Sequence, residues 1–262
     1  MRCWRGSQHE GLRQHFIVLN TMNEETNHTQ KPDGIFGPGT TAQLQKLSAL
    51  TGINQRALEV ASERQLLVFG RHQRAVVYGI SDVTKNLLEV RRLDGQRFKV
   101  KGRRPVESQI VNAYAAGWPI GLTEAAAYPT IALVEGLPDF LAAFQVCQLE
   151  GCLDRVAPVV MLSAKSPIYE NALPLFSGKR VLTLAHADMT GAKAAVTWTK
   201  QLEPHAASVQ VIDFADFNQP GVKNLYAMKD AHAANYKLNP EEWRLLPAPK
   251  TASTGEEWKY AN

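Results

Sequence analysis

The chain has 262 residues, of which 45% are hydrophobic and 21% charged; this is the composition of a folded soluble protein and argues against wholesale disorder. Lysine plus arginine (29) outnumber aspartate plus glutamate (25), a formal net charge of +4 that permits nucleic-acid contact without demanding it. The three cysteines, Cys3, Cys147 and Cys152, form no Cys-x-x-Cys pair, which argues against a zinc ribbon or a disulfide framework and points to a reducing, cytoplasmic setting.

The first 64 residues read as a helical region. Up to about residue 32 they are polar, with one short helix near Leu12–Leu19. Cys3, His9, His15 and His28 match no zinc spacing and read as surface. The string Asp33-Gly34-Ile35-Phe36-Gly37-Pro38-Gly39-Thr40-Thr41 resembles a loop of peptidoglycan-binding modules, but a turn followed by a helix N-cap is the better reading. Two helices follow, Thr40–Leu50 and Asn54–Glu63, from the spacing of Leu44, Leu47 and Leu50 and of Leu58 and Ala61. Gly52 between them suits a helix C-terminus.

Residues 65–128 read as a β-rich basic region and a connector. The β-formers at Leu66–Phe69, Ala75–Tyr78 and Leu87–Val90 predict antiparallel strands. Asp94-Gly95 predicts a hairpin between Val90–Leu93 and Arg97–Val100. Arg91, Arg92, Arg97, Lys99, Lys101, Arg103 and Arg104 make this the densest basic stretch, either a solvated sheet face or a surface for a phosphate backbone. Tyr78, Phe98 and Tyr114 are stacking partners on the second reading and core on the first. Residues 105–128, with Pro105, Gly117, Pro119 and Gly121, read as connector.

Residues 129–240 alternate strand and helix. Strands are expected at Thr130–Val134, Val156–Leu162, Lys179–Leu184 and Ser208–Phe214. Helices are expected at Pro138–Glu150, Gly191–Leu202 and Val222–Asn235, with a helical turn at Pro174–Phe176. That order predicts an α/β fold, a parallel sheet with flanking helices. Residues 241–262 read as a C-terminal tail, and the absence of any apolar run of about 18 residues argues against a membrane partner. The opening Met-Arg-Cys-Trp-Arg-Gly lacks the apolar core of a signal peptide.

Ligands of a parallel sheet bind at the carboxyl ends of its strands, so the residues there carry the chemistry. One such end reads Val134-Glu135-Gly136-Leu137-Pro138-Asp139, where Asp139 could also serve the helix N-terminus. Another reads His186-Ala187-Asp188-Met189-Thr190-Gly191; in extended chain His186 and Asp188 point to one side. A third ends Asp213-Phe214-Ala215-Asp216. Acids converging from several strand ends suit a hard cation such as magnesium together with substrate phosphates.

These motifs resemble the Toprim domain, most closely that of primase-like proteins of phages, plasmids and other mobile elements. Val90–Gly95 and Gly117–Gly121 are similar to the region before Toprim in those proteins. The resemblance implies a Toprim-like parallel sheet and a role in DNA replication: metal-dependent nucleotidyl transfer, or a weakened derivative that binds single-stranded DNA or RNA. It gives Glu135 the acid–base role, and Asp139, Asp188 and a substituted His186 the metal. Arg91, Arg92, Lys99, Arg103 and Arg104 would meet nucleic acid. It implies Mg2+ or Mn2+ as cofactor, with nucleotides and a replicative helicase as further partners. The chain departs from the family pattern where His186 replaces an aspartate and where Val222-Lys223-Asn224-Leu225-Tyr226-Ala227 lacks two more; Asp213, Asp216 and Asp230 are the acids left to compensate. Fewer anionic ligands weaken magnesium, and imidazole favours softer ions. The alternative is a non-catalytic nucleotide-binding or protein-interaction scaffold on the same fold.

Overall fold

The structure is a computed structural model that describes residues 35–111, 117–214 and 221–246. The helix expected near Leu12–Leu19, Tyr114, Asp216 and the tail beyond residue 246 lie outside the described residues. The chain opens with α1 (Thr41–Thr51) and α2 (Gln55–Glu63). Thr40 caps α1 in a reciprocal box with Gln43, and Asn54 caps α2 through the Ala57 N–H. Gly52 ends α1 at φ 69°, a conformation a side chain would strain. The Gly-Pro-Gly-Thr string thus supplies the N-cap of α1 at Thr40, but instead of the expected turn Gly37 pairs in antiparallel fashion with Phe69 on the neighbouring strand.

The next four strands form one antiparallel sheet in chain order: β1 (Leu67–His72), β2 (Ala75–Asp82), β3 (Leu87–Arg92) and β4 (Ser108–Val111). Alternate residues face opposite sides. Leu67, Phe69, Tyr78, Ile80 and Leu87 enter the main core, whereas Val68, Val77, Leu88, Val90 and Val111 form a second cluster with Phe98. Two sequence expectations need correction here. Asp94-Gly95 is a turn, but residues 97–100 do not return as a strand on β3. The partner of β3 is β4, in the stretch read as connector, pairing Leu88 with Val111 and Arg91 with Ser108. Phe98 turns into the small core and pairs only with Val106, closing a loop over residues 99–105. Burying Phe98 outweighs extending a hairpin whose other positions are mostly charged.

The second sheet is parallel: β5 (Thr130–Glu135), β6 (Val156–Met161), β7 (Arg180–Leu184) and β8 (Ser208–Val211), in the order β6-β5-β7-β8. Central β5 buries Ile131 to Val134 without alternation, as a strand covered on both faces does. Helix α3 (Gly136–Leu149) follows β5, α4 (Met189–Leu202) follows β7, and α5 (Leu225–Asn235) is the last helix among the described residues. Ten residues of α3 are buried, because α2, α5, β5 and β6 all pack against it. Strand β8 stops at Val211 and lies at the sheet edge, shorter than the Ser208–Phe214 expected. One apolar cluster runs from Leu47 and Leu58 through Phe140 and Phe144 to Trp198, joining the helical entry to the parallel sheet.

Candidate functional site

Glu135 ends β5, and Gly136, at φ 78°, turns the chain directly into α3. This places Asp139 on the first turn of α3, facing the end of β7. Its side chain is only 1% exposed and does not cap its own helix. Asp139 Oδ2 lies 2.8 Å from His186 Nε2, and Oδ1 accepts the Tyr226 backbone N–H at 2.8 Å. A carboxylate accepts only, so His186 donates from Nε2. Its other nitrogen, Nδ1, lies 3.8 Å from Glu135 Oε1.

The expectation that His186 and Asp188 point the same way needs correction. β7 ends at Leu184, and the chain bends before α4. His186 turns inward to Asp139. Asp188 turns to α4 and becomes its N-cap, Oδ1 accepting the N–H groups of Thr190 and Gly191 at 2.9 Å each. The free N–H groups of a helix start attract a carboxylate more strongly than a solvated position two residues downstream of an imidazole would.

The local charges follow from these contacts. Burial pushes the Glu135 carboxyl up, and the nearby His186 opposes that. Burial also raises Asp139, opposed by the bonds from His186 and from the Tyr226 N–H. The bond to Asp139 raises His186. The Gly191 N–H, with that of Thr190, holds Asp188 down.

Both oxygens of Asp139 are thus engaged, one oxygen of Asp188 caps a helix, and His186 already donates its Nε2–H. Glu135 keeps a buried Oε2 with no partner. Asp213 lines a cavity of about 520 Å3 at the ends of β7 and β8, together with His186, Asp188 and Phe214. Asp230 pairs with Lys229 at 2.8 Å. Among the described residues no group of three or more His, Cys, Asp or Glu side chains is arranged to hold a metal ion. The donor set of the described residues therefore does not fit the magnesium or manganese that the sequence resemblance implies.

Sequence reading missed Tyr226. It sits in the stretch noted only for its lost aspartates, yet its N–H fixes Asp139 and its hydroxyl donates to the Thr51 carbonyl at 2.7 Å. A backbone donor has no residue-type signature, so no motif could have shown it.

The basic residues divide into two groups. Arg92 is held by Asp94, through Nε at 2.9 Å and a second, shorter bond, and Arg97 by Glu107 at 2.8 Å. Lys99, Lys101, Arg103 and Arg104 are exposed on the loop closed by Phe98 and Val106. Phe98 is fully buried and Tyr78 is 5% exposed, so neither offers a free stacking face.

No protein-family model and no curated protein matches the chain. It is similar to the primase fragment of the bacteriophage T7 primase-helicase protein, at 13% identity over 86% of this chain and 84% of that one, with a TM-score of 0.49. It is similar also to a DnaG primase catalytic domain bound to ssDNA, at 17% identity over 78% of this chain and 64% of that one, with a TM-score of 0.42. A third is the Aquifex aeolicus primase, covering its zinc-binding and RNA polymerase domains, at 17% identity over 79% of this chain and 49% of that one, with a TM-score of 0.42. All three are primases. The fold class read from the sequence is the one observed: a parallel sheet with helices packed on it, preceded by a small helical and antiparallel β region. No helix of the described residues is long and apolar enough to cross a membrane.

Proposed function

We propose that this chain is a nucleic-acid transaction protein of the Toprim primase type, a weakened derivative that binds single-stranded DNA or RNA. The observation that carries the reading is the loop of Lys99, Lys101, Arg103 and Arg104. All four are exposed, and none makes an ion pair among the described residues. Unpaired cations on one short loop release counterions when a phosphate backbone docks. Arg91 and Arg92 stand at the base of that loop on β3.

At the acidic end, two-metal phosphoryl transfer needs several free carboxylates, and here the pairing of Asp139 with His186 uses up one of them. Glu135 is the residue for any acid–base step that remains, because it alone keeps a buried carboxylate oxygen without a partner beside His186. On this reading the protein is cytoplasmic, and its other partners are nucleotides and, as the resemblance implies, a replicative helicase.

The test is fluorescence anisotropy with a labelled oligothymidylate over a salt series. Binding to single strands weakens with a slope of about −0.7 per phosphate contact. The Lys99→Ala, Arg103→Ala, Arg104→Ala triple variant should flatten the slope by about 2. An unchanged slope would remove the loop from the interface. A second reading, the nucleotide-binding scaffold, is favoured by the cavity at the ends of β7 and β8. ATP bound with the oligothymidylate ignored would establish that reading instead.

A further inference from the structure

His186 is held from one side and open on the other. Its Nε2–H donates to Asp139 Oδ2 at 2.8 Å, and the second oxygen of that buried carboxylate is taken by the Tyr226 N–H. Yet the His186 side chain is 27% exposed and lines the cavity of about 520 Å3 at the ends of β7 and β8. Its Nδ1 lies 3.8 Å from Glu135 Oε1, beyond hydrogen-bond reach. A neutral imidazole that donates from one nitrogen carries its lone pair on the other. Asp139 therefore fixes the tautomer: Nε2 keeps the proton and Nδ1 is left with the lone pair. A buried carboxylate behind the ring also stabilises the positive charge that forms when the free nitrogen bonds an electrophile.

The neighbours of the ring suit a phosphoryl group. Lys223 is exposed at the same turn, with its carbonyl accepting the Ala187 N–H at 2.7 Å. Its charge adds to the N–H groups of Gly191 and Thr190 in holding the Asp188 carboxyl down. Burial pushes the Glu135 carboxyl toward its neutral form, in which it donates to a phosphoryl oxygen instead of repelling it. The acid that the resemblance expects at position 186 could not act as such a nitrogen nucleophile, so the substitution that removes a metal ligand adds a different chemistry at the same place.

We propose that His186 is a phosphoryl acceptor that takes the γ-phosphoryl group of a nucleoside triphosphate on Nδ1. The proposal rests on the nucleotide partner of the function proposed above. The Nδ1 lone pair forms the N–P bond while the bond from the γ-phosphorus to the β–γ bridging oxygen breaks, and the nucleoside diphosphate leaves with that electron pair. No proton moves: Nε2 keeps its hydrogen, and the positive charge gained by the ring lies against Asp139. A triphosphate is the substrate class because it carries both the leaving group and its own magnesium, so the step asks for no metal site in the chain.

The experiment incubates the full chain with ATP labelled in its γ-phosphate, as the magnesium salt and above the histidine pH range, for wild type and His186→Gln. The glutamine amide keeps an N–H donor for Asp139 and lacks the nucleophile. Wild type should take up a single phosphoryl group per chain, stable in alkali and lost in acid as a phosphoramidate is. Mass spectrometry of the labelled peptide should place it on His186, as the Nδ1 isomer. His186→Gln should take up none. An unlabelled wild type, a label that survives in His186→Gln, or the Nε2 isomer would each overturn the proposal. Should His186→Gln fail to fold, the peptide and the isomer found in wild type decide the matter. Calorimetry of wild type with ATP and with an oligothymidylate separates this proposal from the readings beneath it. ATP bound without label overturns the phosphoryl acceptor alone, whereas no ATP bound and no label overturns the nucleotide partner as well. Label formed while the oligothymidylate is ignored upholds the acceptor and removes the strand-binding reading.

Discussion

Replacing His186 with alanine leaves the Asp139 carboxyl buried beside an empty space. The imidazole bond at 2.8 Å goes, and only the Tyr226 N–H remains to hold the charge. A hydrogen bond to a charged group contributes about 1.5–3 kcal/mol. Orphaning one partner of a fully buried pair costs about 3–5 kcal/mol. Here Asp139 is 1% exposed but His186 is 27% exposed, so water reaches part of the vacated site and the lower end applies. We expect a loss of about 2–3 kcal/mol, seen as a fall of about 5–10 °C in the thermal midpoint. The assay is a double-mutant cycle by thermal or urea unfolding with Asp139→Ala, His186→Ala and the double variant. A coupling of about 1.5–3 kcal/mol is expected between the two positions. Additivity within about 0.5 kcal/mol would show that the contact contributes nothing and would remove the physical basis for a closed site. The pH dependence gives a second reading of the same bond. His186 has its pKa raised in the folded state by Asp139. Its contribution is therefore fully present below the ordinary histidine value and is lost as pH rises through the folded one. Wild type should lose stability across that window, and His186→Gln, which cannot titrate, should not.

Four further outcomes are expected. Manganese or magnesium titrated into wild type by calorimetry should give no saturable heat; saturable binding abolished by Asp188→Ala would overturn the reading of the acidic end. Glu150 is buried and accepts from His232 and from the N–H groups of Leu245 and Leu246, so Glu150→Ala should cost about 3–5 kcal/mol and expose the chain near residue 245 to limited proteolysis. Asp82 is buried and accepts from the Thr84 and Lys85 N–H groups and from Trp118 Nε1; Asp82→Ala should cost about 2–4 kcal/mol and shift Trp118 fluorescence. A Cβ at Gly191 would press on the backbone of His186, so Gly191→Ala should displace the turn between β7 and α4 and lower the thermal midpoint by several degrees.

The amino-acid sequence by itself determined the elements whose signals are local. The caps at Thr40 and Asn54, the αL glycine at Gly52, the apolar run of β5 and the strand–helix alternation after residue 129 each depend on neighbours a few residues away. The same is true of the α/β class and of the acids at the ends of β5 and β7. The tertiary structure decided the pairings across distance. Which strand completes the first sheet depended on where Phe98 could be buried, so a stretch read as connector became β4. Which partner His186 takes depended on the competing pull of the α4 N-terminus on Asp188, and on a backbone N–H at Tyr226 that supports Asp139 from 87 residues away. Arg91 and Arg97 look equivalent in the sequence, yet Arg97 hydrogen-bonds Glu107 at 2.8 Å whereas Arg91 comes only within 3.7 Å of it. Residue type and spacing report what a side chain can do. Which of its options is realised depends on the free energy of every group that competes for the same contact, and those groups meet only once the chain has folded.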